Sequence, residues 1–162
     1  MPRLPVLVVA TLLAALLAAP AWAQQAVYVI RHAERADGSF NSPLSPAGHA
    51  RAARLAKMLG TSGIGAIFVS DLRRTAQTAA PLAQVLHVKP VAMTGTLELV
   101  KAVQAQPREQ IVLVVGHSNT VSHILEGLGY EGAALPDTGD YDNLFVLIPR
   151  AAGRPTLLRL KY

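Results

Sequence analysis

Apolar residues along this chain come in short blocks, and blocks rich in valine and isoleucine alternate with blocks of helical spacing. Ala26 to Arg31 is the first apolar block, and the polar stretch after it holds Asp37, Gly38, Asn41, Ser42 and Pro43, which predicts a buried strand entering a loop. Ser45 and Pro46 then supply an N-cap and a proline at the first helical position, and Ala52, Leu55, Ala56 and Leu59 recur at helical spacing up to Gly60. The spacing predicts a helix over 46–59, with Arg51, Arg54 and Lys57 on its opposite side as a solvated face. A second strand is expected at 66–69, a second helix at 73–86 with a kink or restart at Pro81, and a third strand at 88–93. Ile111 to Val115 is the most apolar strand, and Val121, Ile124, Leu125 and Leu128 place a helix directly after it, ended by Gly127 and Gly129.

Two more strands are expected at 144–148 and 157–162. In the last, Leu158, Leu160 and Tyr162 alternate with Arg159 and Lys161, which suits an edge strand with one wet face. Strands that feed helices this regularly predict a mostly parallel sheet covered on both faces, a three-layer α/β/α sandwich with an antiparallel edge strand.

The first 23 residues differ from the rest and are set apart from the fold. Arg3 gives a positive start, an apolar run from Leu4 to Ala19 is broken only by Pro5 and Thr11, and Ala21, Trp22 and Ala23 form a small-x-small cleavage pattern. Residues 1–23 are expected to be a signal peptide cut before Gln24, with 24–162 as one domain in the periplasm or secreted beyond it. The run falls short of the roughly 20 residues that span a bilayer, so no stable membrane association is expected after cleavage. With 0 cysteines, neither lipoprotein attachment nor a disulfide framework is available. The formal charge is +5, which favours an anionic ligand. The basic residues are dispersed and few aromatics lie among them, so a nucleic-acid groove is not expected.

Three polar clusters stand at the carboxyl ends of predicted strands: Arg31 with His32, Ser70 to Thr78, and Gly116 to Asn119. In open parallel sheets these ends converge on one crevice. Two arginines and two histidines gathered there repel each other unless an anion lies between them, and phosphate has the acceptor oxygens to satisfy them. Backbone amides at Ser118 and Asn119, opening a helix after the strand, would add donors and a positive dipole end. A metal site is not expected, because His117 and His123 are six apart and Arg31 beside His32 opposes a divalent cation.

Arg31-His32-Ala33-Glu34 resembles the Arg-His-Gly-Glu signature of the histidine phosphatase superfamily, which includes the phosphoglycerate mutases and the phosphohistidine phosphatases. Ser70 to Thr78 is similar to its Ser-x-Leu-x-Arg-[Ala/Thr]-x-x-Thr segment, Gly116-His117-Ser118-Asn119 to its Gly-His-Gly-Asn segment, and Leu44 to Gly48 to its Leu-[Ser/Thr]-x-x-Gly helix opening. The resemblance implies a phosphoglycerate mutase-like fold in which His32 is the nucleophile and Arg31, Arg74 and His117 surround the phosphoryl oxygens. Arg74 rather than Arg73 occupies the matching position. No cofactor is implied.

Ala33 and Ser118 stand where glycines are usual, which is expected to narrow the pocket, and Arg35 is expected to add positive charge to its rim. Glu98, after the third strand, is the first choice for the acid that protonates the leaving oxygen. Asp142 is its competitor and otherwise a substrate-binding residue with Ser118 and Asn119, while Glu34 is expected to orient the first loop.

The function that follows is an exported phosphatase acting on small phosphomonoesters through a phosphohistidine on His32, without metal. A mutase is disfavoured by the export signal and the short region between the third and fourth strands. Two further alternatives stand beside it, a phosphohistidine protein phosphatase and a phosphate-binding module with little turnover.

Overall fold

A computed structural model of the chain describes residues 26–132, 140–150 and 152–162; the expected signal peptide lies outside them. In chain order the elements are β1 (Ala26–Arg31), α1 (Pro46–Leu59), β2 (Ile64–Ser70), α2 (Arg73–Leu86), β3 (Val91–Met93), α3 (Thr96–Gln104), β4 (Ile111–Gly116), α4 (Val121–Gly127), β5 (Asn143–Ile148) and β6 (Thr156–Lys161). The strands form one sheet of order β3-β2-β4-β1-β5-β6. β1 to β4 run parallel, β5 lies antiparallel against β1, and the edge strand β6 is antiparallel to β5.

The continuous apolar runs of β1 and β4 follow from burial on both faces, since successive side chains on a strand point to opposite sides. Ile30, Leu113 and Val115 pack with Leu55, Ala56 and Leu59 of α1 and with Ala79, Leu82 and Ala83 of α2. Val27, Val29, Val112 and Val114 pack on the other face with Leu99 and Val103 of α3 and Val121, Ile124 and Leu125 of α4. The result is the three-layer sandwich of the sequence reading.

The departures have local causes. α2 runs through Pro81 without a restart; the proline lacks the donor that would have reached Gln77. The third strand is reduced to three residues because His87, at φ 54°, ends α2 in a left-handed turn whose amide bonds the carbonyls of Ala83 and Gln84. β6 is wet on both faces rather than one, with Leu158 and Leu160 exposed alongside Arg159 and Lys161. Arg51 is not part of a solvated face: it bonds both carboxylate oxygens of Glu34.

Two features of α1 fix the loop that follows β1. Ser45 caps the helix by accepting from the Gly48 amide at 3.1 Å. Gly48 packs directly on the backbone of Glu34, where a Cβ would overlap the Glu34 carbonyl oxygen.

Candidate active site

The carboxyl ends of β1, β2 and β4 meet at one end of the sheet and bring His32, Arg31, Arg74 and His117 together. His32 follows the last residue of β1, and its amide bonds Gly116 O of β4 at 2.9 Å, so the strand pairing itself sets its position. The ring is buried, 4 % exposed. Its Nδ1 lies 2.7 Å from the carbonyl oxygen of Ala33. A carbonyl only accepts, so Nδ1 carries the proton and Nε2 keeps its lone pair. Nε2 makes no hydrogen bond among the described residues.

His117 presents the opposite tautomer. Arg74 Nη2 is 3.4 Å from His117 Nδ1, and since a guanidinium only donates, Nδ1 accepts. Nε2–H then donates to Ser70 Oγ at 2.7 Å. The relay continues: Ser70 Oγ is 3.0 Å from Thr75 Oγ1, whose own hydroxyl donates to the Ser70 and Leu72 carbonyls. The rings of His32 and His117 approach edge-on, with centroids 5.2 Å apart.

Burial is the main reason that both histidines are neutral. It drives the His32 pKa down to about 3, against the hydrogen bond that His32 donates to Ala33 O, and His117, Arg74 and Arg31 lower it further. Burial likewise lowers His117 to about 4, with Arg74 and Arg31 adding to it and Asp71 opposing. The arginines supply the positive charge of the site, and the imidazoles do not.

Arg74 is nearly buried, at 9 % exposure. Nη1 is held by Phe40 O at 2.6 Å, while Nε is buried without a hydrogen-bond partner among the described residues. Burial pulls its pKa down, and Arg35 and Arg31 add to that pull. Thr78, one turn further along α2, donates to Arg74 O and accepts from the Ala33 amide at 2.9 Å. The Arg and Thr of the second motif thus tie α2 to the loop that carries His32.

Several sequence expectations find other places. Ala33 does not narrow the pocket, for it is buried with Leu44 and Ala52 behind the loop. Ser118 and Asn119 lie in a turn, not a helix opening: α4 starts at Val121, and Thr120 Oγ1 accepts from the His117 amide at 2.9 Å. Their own amides carry no hydrogen bond among the described residues. Arg35 is exposed beside the site, as the rim reading required. Glu34 forms a bidentate pair with Arg51, its side chain 22 % exposed and that of Arg51 15 %. Burial alone would raise the Glu34 pKa, but the bonds and charge of Arg51 outweigh it and lower the pKa overall.

Of the two acid candidates, Glu98 is exposed on the first turn of α3, with its carboxylate beside Gly95 and no hydrogen bond to the four central residues. Asp142 is turned to Lys161, 2.5 Å away, and that bond holds its carboxyl below the usual range.

Tyr141 was not foreseen as a site residue. Its ring lies 4.2 Å from the Arg31 guanidinium carbon, its hydroxyl is 3.4 Å from Arg31 Nη2, and its centroid is 5.9 Å from that of His32. The signal was topological: because β5 is antiparallel to β1, the loop before β5 arrives where β1 ends. Asp71, just before α2, is a second missed residue. It lines a groove of about 240 Å³ that runs from His117 toward the start of α3.

Comparison with known proteins bears on the fold and the motifs. Residues 27–99 match the family model described as histidine phosphatase superfamily (branch 1). No curated protein matches significantly. Among solved structures, SixA of Agrobacterium tumefaciens, described as a candidate phosphohistidine phosphatase, is 26 % identical over 77 % of this chain and 92 % of its own, with a TM-score of 0.64. A protein histidine phosphatase SixA bound to tungstate superposes with a TM-score of 0.67 at 19 % identity, over 84 % of this chain and 96 % of that one. The mycobacterial glucosyl-3-phosphoglycerate phosphatase bound to VO3 gives 0.65 at 14 % identity, covering 85 % and 98 %. The chain is similar to this superfamily in sequence and has its fold.

Proposed function

We infer, for a chain that shares the motifs and the fold of the histidine phosphatase superfamily, that it is a metal-independent phosphatase which hydrolyses phosphomonoesters through a phosphohistidine on His32. The observation that carries the reading is the buried, neutral His32, proton on Nδ1 and Nε2 free, beside Arg31 and Arg74.

The Nε2 lone pair attacks phosphorus as the ester P–O bond breaks, and the leaving oxygen takes a proton. Water then attacks the phosphohistidine, the P–N bond breaks, and phosphate leaves with Nε2 restored. The fixed guanidinium groups and the unpaired amides of Ser118 and Asn119 offset the charge on the phosphoryl oxygens, the role that metal ions fill elsewhere. His117, held by Arg74 and Ser70, contributes an oriented ring at the same place.

The proton is assigned to Glu98. Its carboxylate lies beside Gly95, a residue of the groove next to His117, and has no cationic partner among the described residues, whereas Lys161 keeps Asp142 ionised. In a leaving-group series Glu98→Gln is expected to lose far more activity on alkyl phosphates than on p-nitrophenyl phosphate; an equal loss would remove Glu98 from the role.

The N-terminal pattern supports export to the periplasm or beyond, with N-terminal sequencing expected to read from Gln24. The likeness to SixA favours a second reading, in which the phosphoryl donor is a histidine of another protein. The deciding assay is phosphate release from p-nitrophenyl phosphate and from a phosphohistidine protein, with and without chelator. Turnover of the ester that chelator leaves intact and His32→Ala abolishes is the expected result. Turnover of the protein alone would favour the second reading, and turnover of neither would leave only a phosphate-binding module.

A further inference from the structure

Arg31, His32 and Arg74 do not line the groove beside the site; of the four central residues only His117 does, at one end. It starts at the His117 ring and passes over Met93, Leu99 and Ile124, with Thr94 on its edge. Its volume of about 240 Å³ falls below the roughly 300–1,000 Å³ of pockets for drug-sized ligands. Asp71 is the one carboxylate among its described lining residues. That side chain is exposed and forms no hydrogen bond or ion pair among the described residues.

We propose that this groove holds the alcohol half of the substrate and that Asp71 selects alcohols carrying an ammonium group, so that the preferred substrates are small amino-alcohol phosphomonoesters. The proposal rests on the phosphatase reading above. A substrate lying across the site would set its phosphate against Arg31 and Arg74 and its alcohol in the groove. The apolar wall accepts a short carbon chain, and the carboxylate of Asp71 is the matching charge for an amine. The charges of the two ends then oppose those of the protein at both places, which fixes the direction of binding. A second phosphate or carboxylate on the alcohol would instead meet Asp71 and be disfavoured.

The probes are phosphoethanolamine and ethyl phosphate, which differ in the ammonium group. Binding is measured by calorimetry on His32→Ala, so the result does not depend on turnover. Phosphoethanolamine is expected to bind two- to fivefold more tightly, the range of one exposed ion pair. The preference should vanish in His32→Ala/Asp71→Asn and shrink with added salt. Thr94→Trp, which narrows the groove, should weaken both organic probes while leaving inorganic phosphate unchanged.

Equal binding of the two probes, or a preference that survives Asp71→Asn, overturns the proposal. In the enzyme with His32 intact, Asp71→Asn should lower kcat/KM for phosphoethanolamine but not for ethyl phosphate. An equal loss on both would make Asp71 the proton donor instead and equally overturn it. Absence of turnover on p-nitrophenyl phosphate would refute the phosphomonoesterase reading while the binding comparison still judged the groove.

Discussion

Arg74 and His117 are in direct contact, with Arg74 Nη2 3.4 Å from His117 Nδ1. The contact joins a residue from the start of α2 to one just past β4, and it decides the tautomer of the histidine. The second guanidinium nitrogen, Nη1, is spent on Phe40 O, so two nitrogens of one planar group fix two separate loops. A lysine presents a single point charge and can serve only one of them.

Arg74→Lys is therefore expected to keep the fold and lose about a hundredfold in kcat/KM, the scale of one preorganised donor in a charge-stabilising site. Steady-state kinetics on p-nitrophenyl phosphate, with circular dichroism as the check on folding, makes the measurement. A loss below about threefold would show that charge alone suffices.

The neutral histidines predict how stability depends on pH. In the unfolded chain each takes a proton near its ordinary value of 6.5, but in the folded chain only near 3 at His32 and near 4 at His117, chiefly because of burial. Between those values the unfolded state holds more protons, so stability falls as pH falls from 6.5 toward 4. For His32 the slope approaches about 1.4 kcal/mol per pH unit at its steepest. The melting temperature should drop between pH 6.5 and 5, and the drop should be smaller in His32→Gln. A melting temperature that stayed level over this interval would place both pKa values near the ordinary range.

The Glu34–Arg51 pair is the other testable support of the site. Glu34 lies two residues beyond His32, and Arg51 binds it with bonds of 2.6 to 3.0 Å while also donating to Tyr162 O. A double-mutant cycle of Glu34→Gln and Arg51→Met should give a coupling of about 1 kcal/mol, within the range for contacting residues. Each single variant should raise KM for phosphomonoesters more than it lowers kcat, because the loop holds Arg31 and His32 in place. Additive effects on stability would show the pair to be incidental.

The sheet was legible because its central strands β1 and β4 are continuous apolar runs, and α1 because Ser45 and Pro46 signal its start; α3, which begins after Gly95 with no side-chain cap, was not foreseen. The central residues were legible because motif and topology agree: Arg31, His32, Arg74 and His117 all stand at strand ends or at the helix start that follows. Side-chain partners were not. Arg51 sits on a polar helix face by spacing, and only the Gly48 contact with Glu34 brings a carboxylate within its reach. Ala33 stands in a loop motif, but the turn after β1 directs it to Leu44 and Ala52. Tyr141 depends on the direction of β5, which no residue pattern states.

The central claim is that His32 Nε2 becomes phosphorylated. The direct measurement is a rapid acid-free quench during turnover of a ³²P-labelled phosphomonoester, followed by peptide mapping. The label should be stable to base, labile to acid, confined to the peptide containing His32, attached at Nε2, and absent in His32→Ala. Label on any other residue, or full turnover with no labelled protein at any time point, would contradict the account.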